Sequence, residues 1–177
     1  MARGALRAAL IDSTYLTYLI SHAVMTRIGL ISDTHNLLRP EVLRHLQGCE
    51  AIIHAGDICE PGVLEALREI APVTAVRGNN DGGEWARAIP THATLTVQQV
   101  KILVVHDQAD IDVDPGSEGI RVVVTGHSHK PLIDERDGVL YVNPGSAGPR
   151  RFKLPVSAGL LEVEGAQVVA SLQQLLE

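Results

Sequence analysis

Aromatic side chains are nearly missing from this chain: one Trp, three Tyr and one Phe amount to 3% of 177 residues. A core must therefore be built from Val, Leu, Ile and Ala, and single-stranded nucleic acid would find few stacking platforms. Cysteine is scarce as well. Cys49 and Cys59 form neither a CxxC pair nor a disulfide framework, so free thiols in a cytoplasmic protein are expected. No excess of positive charge exists: 15 Lys and Arg against 21 Asp and Glu leave a net charge of −6, which argues against coating nucleic acid. No apolar run approaches the roughly 18 residues of a membrane-spanning helix, so no membrane partner is expected. What is present is ordinary for one globular domain: 45% apolar and 20% charged residues in a chain long enough for a substantial core.

The first 24 residues, MARGALRAALIDSTYLTYLISHAV, read differently from the rest. Asp12 and scattered Ser and Thr interrupt any secretory core, and no small-residue cleavage site follows. MTRIGLISDTHN then begins at Met25 like a natural start leading into a strand. The expectation is an extension over 1–24 outside the fold, with Met25 as the true start and one domain over 25–177. A genuine extension or targeting segment is the competing reading.

From Arg27 onward, β-rich runs alternate with helical ones. RIGLIS, AIIHA and VTAV read as buried strands. Between them Pro40 opens PEVLRHLQG, closed by Gly48, and Pro61 opens PGVLEALREI with Val63, Leu64, Leu67 and Ile70 on one face. This β-α-β-α-β order implies a parallel sheet with right-handed crossovers. After about residue 90 the helices thin out: ATLTV, KILVV, RVVVT, PLIDER, VLYV, AGLLEV and QVVASL all read as strands. Hairpin joints are expected at Gln98-Gln99, Asp137-Gly138 and Glu164-Gly165. DQADIDVDPGSEG is a polar loop with a short helical turn at most. The expected class is α/β: a parallel half and an antiparallel half forming two packed mixed β-sheets flanked by helices.

The polar residues fall at strand ends. Asp33 and His35 follow the first strand, Asp57 the second, Asn79 the third, His106 follows KILVV, and His127 with His129 follow RVVVT. Taken alone, GHSHK is as much a polar turn as a site, and a GNN turn is more often structural than functional. Carboxyl ends of strands share one edge of a parallel sheet, however, and ligands bind there. Five strand ends thus bring seven N or O donors to one rim. Asp, His and Asn without Cys suit Mn²⁺, Fe, Zn²⁺ or Ni²⁺. Seven donors exceed the four of one tetrahedral ion, so two ions are the economical solution. Paired cations facing an anion suit phosphoester hydrolysis.

The ordered series Asp33-Thr-His35, Gly56-Asp57, Gly78-Asn-Asn-Asp81, His106 and Gly126-His-Ser-His129 resembles the calcineurin-like metallophosphoesterases. It is most similar to their small YfcE-like phosphodiesterase branch, whose fold is shared with the retromer subunit Vps29. Asn143-Pro-Gly-Ser146 and Pro149-Arg150 match as well, and the likeness runs from about Met25 to the C-terminus. The resemblance implies a four-layer sandwich and two divalent metal ions, Mn²⁺ first, with Ni²⁺, Fe²⁺ or Zn²⁺ as alternatives. It implies one metal on Asp33, His35, Asp57 and His129, and the other on Asp57, Asn79, His106 and His127, with Asp57 bridging. A metal-bridging hydroxide would then attack phosphorus in line on a small phosphodiester or nucleotide-like substrate. An interaction scaffold of the Vps29 kind, or a phosphomonoesterase or nucleotidase, is the alternative. A homo-oligomer is left open.

Two departures bear on activity. Asn80 stands where many members of the family carry a proton-donating His; Asn cannot act as a general acid but can donate to phosphate. His106-Asp107-Gln108 replaces a frequent His-Gly-His, which retains the first His and alters its neighbours. His54, beside Gly56-Asp57, reads as structural. His22, His45 and His92 have no positional argument. Asn143 and Ser146 are expected to shape a turn beside the GHSH loop, Ser128 to act as a spacer, and Arg150 and Arg151 to be a solvated pair or a phosphate attractor. Cys59 is kept as an oxidation-sensitive neighbour of Asp57.

Overall fold

Gly29 sits in the first strand where a helix presses against the sheet. A Cβ there would overlap the end of the Leu46 side chain, so glycine lets the helix lie close against the strand. That contact belongs to a computed structural model which describes residues 24–176. The expected extension over 1–24 lies, but for Val24, outside the described residues.

The first sheet contains β1 (Thr26–Ile31), β2 (Ala51–His54), β3 (Val73–Ala75), β9 (Val156–Glu164) and β10 (Gln167–Leu176) in the order β10-β9-β1-β2-β3. Helix α1 (Pro40–Leu46) joins β1 to β2, and α2 (Pro61–Arg68) joins β2 to β3; both pairs are parallel. Each helix starts on its proline, which has no N–H to leave unpaired in the first turn. A single-turn helix, α3 (Glu84–Arg87), follows β3 and was not expected from sequence.

The second sheet contains β4 (His92–Val97), β5 (Val100–Val105), β6 (Val122–Val124), β7 (Leu132–Arg136) and β8 (Val139–Asn143) in the order β4-β5-β6-β8-β7. Here the expected split into a parallel and an antiparallel half needs correction. β5, β6 and β8 are mutually parallel, while the antiparallel β9 and β10 complete the first sheet beside β1. The apolar stretches Ile102–Val105 and Val122–Val124 fit this, since parallel strands are buried on both faces. The Asp137-Gly138 turn has φ of 51° and 76°, as a tight two-residue hairpin requires.

The two sheets face each other across one core. Ile28, Leu30, Ile53, Leu161 and Val163 of the first pack with Val100, Ile102, Val104, Val122, Val124 and Val142 of the second, all with no exposed surface. Each such side chain contributes about 1.5–3 kcal/mol by leaving water. On the outer face of the first sheet Val42, Leu46, Val63, Leu64 and Leu67 of α1 and α2 cover Ile31, Ile52 and Ala158. The outer face of the second is covered by Ile111 and Ile120, from a polar connection with one 3₁₀ turn at Gln108–Asp110. This is the expected pair of mixed sheets, with helices outside one of them. No helix among the described residues is long and apolar enough to cross a membrane.

Candidate metal centre

Five of the seven expected ligands have left-handed backbone. Their φ angles are 52° at Asp33, 43° at His35, 56° at Asp57, 64° at His127 and 56° at His129. For a residue with a Cβ this conformation costs about 1–2 kcal/mol, and such strain gathers at functional sites. Cross-links between loops hold it. Asp33 N donates to Gly56 O and His35 N to Asp57 O, each at 2.9 Å, while Gly126 N donates to His106 O at 2.9 Å. The Asp81 carboxylate accepts from Cys59 N and Gly78 N, both at 2.7 Å, tying the loops after β2 and β3 together. A Cβ on Gly78 would overlap Asp57, and one on Gly56 would press into His106 and Gly78, so glycine is what lets these loops meet.

Asp57 lies at the middle. Its Oδ2 is 3.6 Å from His35 Nε2 and its Oδ1 is 3.4 Å from His106 Nε2. On the first side, His129 Nε2 is 3.4 Å from His35 Nε2 and 3.3 Å from Asp33 Oδ1, with the two rings stacked. On the second, Asn79 Oδ1 lies 3.0 Å from His106 Nε2 and 2.9 Å from His127 Nδ1. Donor atoms of Asp33, His35 and His129 fall within 4.8 Å of one another, as do those of Asp33, Asp57 and His106. Asp33 thus reaches both groups, a sharing that sequence assigned to Asp57 alone.

The electrostatics suit cation ligation. Asp33 Oδ1 and His129 Nδ1 are buried without a hydrogen-bond partner among the described residues. An acceptor-only oxygen left so is costly unless a cation answers it. Burial raises the Asp33 pKa to about 6, against the Ser32 hydroxyl that lowers it. Burial also lowers His129 to about 4 and moves His35 in the same direction, so both rings are neutral at pH 7, the form that ligates metal. At Asp57 burial opposes ionisation, but hydrogen bonds from His106 and Asn80 outweigh it and hold the carboxyl below its usual range. His106 Nδ1 lies 2.7 Å from Ala55 O; a carbonyl only accepts, so Nδ1 carries a proton and Nε2 is turned to Asp57 in the site. Burial lowers the pKa of this ring, but the hydrogen bonds to Asp57 and Ala55 O outweigh it and raise it; a metal ion would take the place of the Nε2 proton. The donor set therefore fits divalent cations.

All seven expected ligands come together at this rim. Asn80, expected to contact phosphate, is exposed and donates its backbone N–H to Asp57 Oδ1 at 2.8 Å and its amide to Oδ2 at 2.6 Å. His54 is fully buried with Nε2 3.0 Å from Thr34 Oγ1, and burial lowers its pKa to about 3. Asn143 donates to Gly126 O at 2.6 Å and to Ser128 Oγ at 3.1 Å, so Ser128 latches the loop rather than merely spacing it. Arg151 Nη2 comes within 3.5 Å of His35 Nε2, and Cys59 Sγ within 3.6 Å of His35 Nδ1. Sequence reasoning missed Ser32, whose hydroxyl lies 2.5 Å from Asp33 Oδ2, and Arg77, which lines the adjoining cavity. The only signal for either was adjacency to a motif.

Residues 26–166 match the calcineurin-like phosphoesterase superfamily domain, and the chain belongs to that family. Among curated relatives, a probable metallophosphoesterase of Methanocaldococcus jannaschii is 31% identical over 148 residues, spanning 76% of this chain and 74% of its own. The phosphodiesterase YfcE of Escherichia coli is 28% identical over 171 residues, spanning 82% and 92%. Among solved structures, vacuolar protein sorting 29 from Cryptosporidium parvum superposes with a TM-score of 0.74 at 23% identity, covering 86% of this chain and 93% of that one. At that identity the likeness speaks for the fold.

Proposed function

We propose that this protein is a metal-dependent phosphodiesterase that holds two divalent cations and hydrolyses a small phosphodiester or nucleotide-like compound. The carrying observation is the division of donors about Asp57, whose two carboxylate oxygens face His35 on one side and His106 on the other. Asp33, His35, Asp57 and His129 would hold one ion, and Asp57, Asn79, His106 and His127 the other. Mn²⁺ is favoured over Ni²⁺, Fe²⁺ and Zn²⁺. Such cations raise the acidity of water and offset charge developing on phosphoryl oxygens.

The protein's own groups prepare that chemistry. Asn80 and His106 keep Asp57 ionised, and Ala55 O orients His106. The Asn80 amide has a second hydrogen for a phosphoryl oxygen. It cannot protonate a leaving group, which favours esters with acidic leaving alcohols. Relatives named metallophosphoesterase and phosphodiesterase support the reading, and the free thiols of Cys49 and Cys59 suit a cytoplasmic location.

The test is hydrolysis of bis-p-nitrophenyl phosphate by purified protein with Mn²⁺. Asp57→Ala is expected to bring turnover to background while its circular dichroism stays native. Absent turnover with every divalent ion, or turnover that survives chelation, overturns the reading; a protein that also takes up no metal is better described as an interaction scaffold.

A further inference from the structure

His127 has 46% of its side chain open to solvent, so burial does little to fix its ring. Two contacts hold it instead. Nδ1 lies 2.9 Å from Asn79 Oδ1, on the side of the metal-type donors, and Nε2 lies 3.6 Å from Asp107 Oδ2. Asp107 is itself anchored as the cap of the 3₁₀ turn Gln108–Asp110. Its Oδ1 accepts from Ala109 N and its backbone O from Asp110 N, each at 3.0 Å, which leaves Oδ2 to the imidazole. The other donor rings are backed differently: His106 Nδ1 by Ala55 O and His35 Nδ1 by Cys59 Sγ. His129 Nδ1 has no hydrogen bond among the described residues. A carboxylate thus stands behind one imidazole of the site, at the position where this sequence departs from a frequent Gly.

Turning the ring over about Cβ–Cγ would set a carbon against Asn79 Oδ1 and carry Nε2 away from Asp107, so the two contacts together select one orientation. An ionised carboxylate only accepts. Facing Nε2, it favours the proton there and leaves the lone pair on Nδ1, the form in which that nitrogen ligates a cation. We propose that Asp107 is a positioning residue: it fixes the orientation and tautomer of His127 and so tightens the hold of Asn79, His106 and His127 on their ion. This rests on the two-cation reading above. At 3.6 Å the pair is looser than a hydrogen bond. The effect belongs at the low end of the range for groups that back a metal ligand, about tenfold in affinity.

Asp107→Ser separates this duty from the cap, because serine caps a turn about as well as aspartate but is uncharged and too short to reach the ring. Calorimetric titration of chelator-treated protein with Mn²⁺ should show one of the two ions bound about tenfold more weakly in this variant, with the metal-free melting temperature unchanged. Hydrolysis of bis-p-nitrophenyl phosphate should recover at saturating Mn²⁺. Asp107→Asn keeps the size and the cap but turns N–H groups toward Nε2; it is the second variant and should lose at least as much. Asp110→Asn removes a charge from the same cavity without a contact to any donor, and should change neither affinity by more than about twofold. In a His127→Ala background, Asp107→Ser should weaken the remaining ion no further. Unaltered affinity in both Asp107 variants, an equal loss in Asp110→Asn, or a loss that persists without His127 overturns the proposal, and ordinary phosphodiester turnover would then leave the proposed activity standing. Ion affinity that depends on Asp107 in a protein that cleaves no phosphodiester overturns the activity and leaves the positioning role standing. A wild-type protein that takes up no ion overturns both.

Discussion

Asn80 holds both oxygens of Asp57 at once, its backbone N–H on Oδ1 at 2.8 Å and its side-chain amide on Oδ2 at 2.6 Å. The residue standing where the family often has a proton donor thus orients the central carboxylate. Groups that orient a metal ligand are typically worth about 10–100-fold in affinity or activity. Asn80→Ala keeps the backbone bond and loses the amide. It is expected to weaken Mn²⁺ binding and kcat/KM on bis-p-nitrophenyl phosphate by about tenfold, read by calorimetry and steady-state kinetics. Unchanged metal affinity would show that the amide bond is incidental.

Asp33 makes a prediction about pH. Burial raises its pKa from the ordinary 3.8 to about 6 in the folded protein. The fold therefore prefers the neutral acid. This group's contribution is most favourable below about pH 4, is lost as pH rises through 6, and leaves a cost above that. Asp33→Asn removes the cost. In chelator-treated protein at pH 7 its melting temperature should exceed that of the wild type by roughly 4 °C or more, and the gain should vanish at pH 4. Excess Mn²⁺ should reverse the order, because only the wild type retains this ligand. A gain independent of pH would rule this account out.

Two glycines separate close approach from simple flexibility. A Cβ at Gly78 would overlap Asp57 Oδ1 and its backbone N, whereas one at Gly62, in the first turn of α2, meets nothing within 4 Å. Gly78→Ala should lower turnover at least a hundredfold and lower the melting temperature. Gly62→Ala should be neutral or stabilise by about 0.5–1 kcal/mol. Equal melting curves and activities for the two variants would contradict the packing described.

His127 and His129 sit one residue apart, yet His127 leans on Asn79 Oδ1 at 2.9 Å and His129 lies 3.3 Å from Asp33 Oδ1. Elemental analysis after Mn²⁺ loading should give two ions per wild-type chain and one in either His127→Ala or His129→Ala. Loss of both ions, or of neither, from a single substitution would refute separate duties.

Much of the fold was legible because local signals agreed. Pro40 and Pro61 mark helix starts that the structure keeps, and the runs KILVV and RVVVT are long enough in β-branched residues to be strands on any reading. Which strands pair was not legible. Sequence order put β9 and β10 with their chain neighbours, but Leu160 and Leu161 pair with Gly29 and Ile28 of β1, more than 100 residues earlier. Pairing at that separation is decided by which apolar faces complete one core, and periodicity says nothing of partners.

The metal-type donors were legible as residues because each follows a strand, and strand ends converge by topology. Their left-handed backbone, the burial of Asp33 Oδ1 with no hydrogen bond among the described residues, and the reach of Asp33 to both groups were not, since each depends on loops pressed together by Gly56, Gly78 and Asp81. The same holds for Asn80 and Asp107. Sequence alone determined that carboxylate, imidazole and amide donors meet at one rim, because spacing and strand direction are local properties. Only the tertiary structure decided which oxygen faces which ring, because that depends on contacts between segments far apart in the chain.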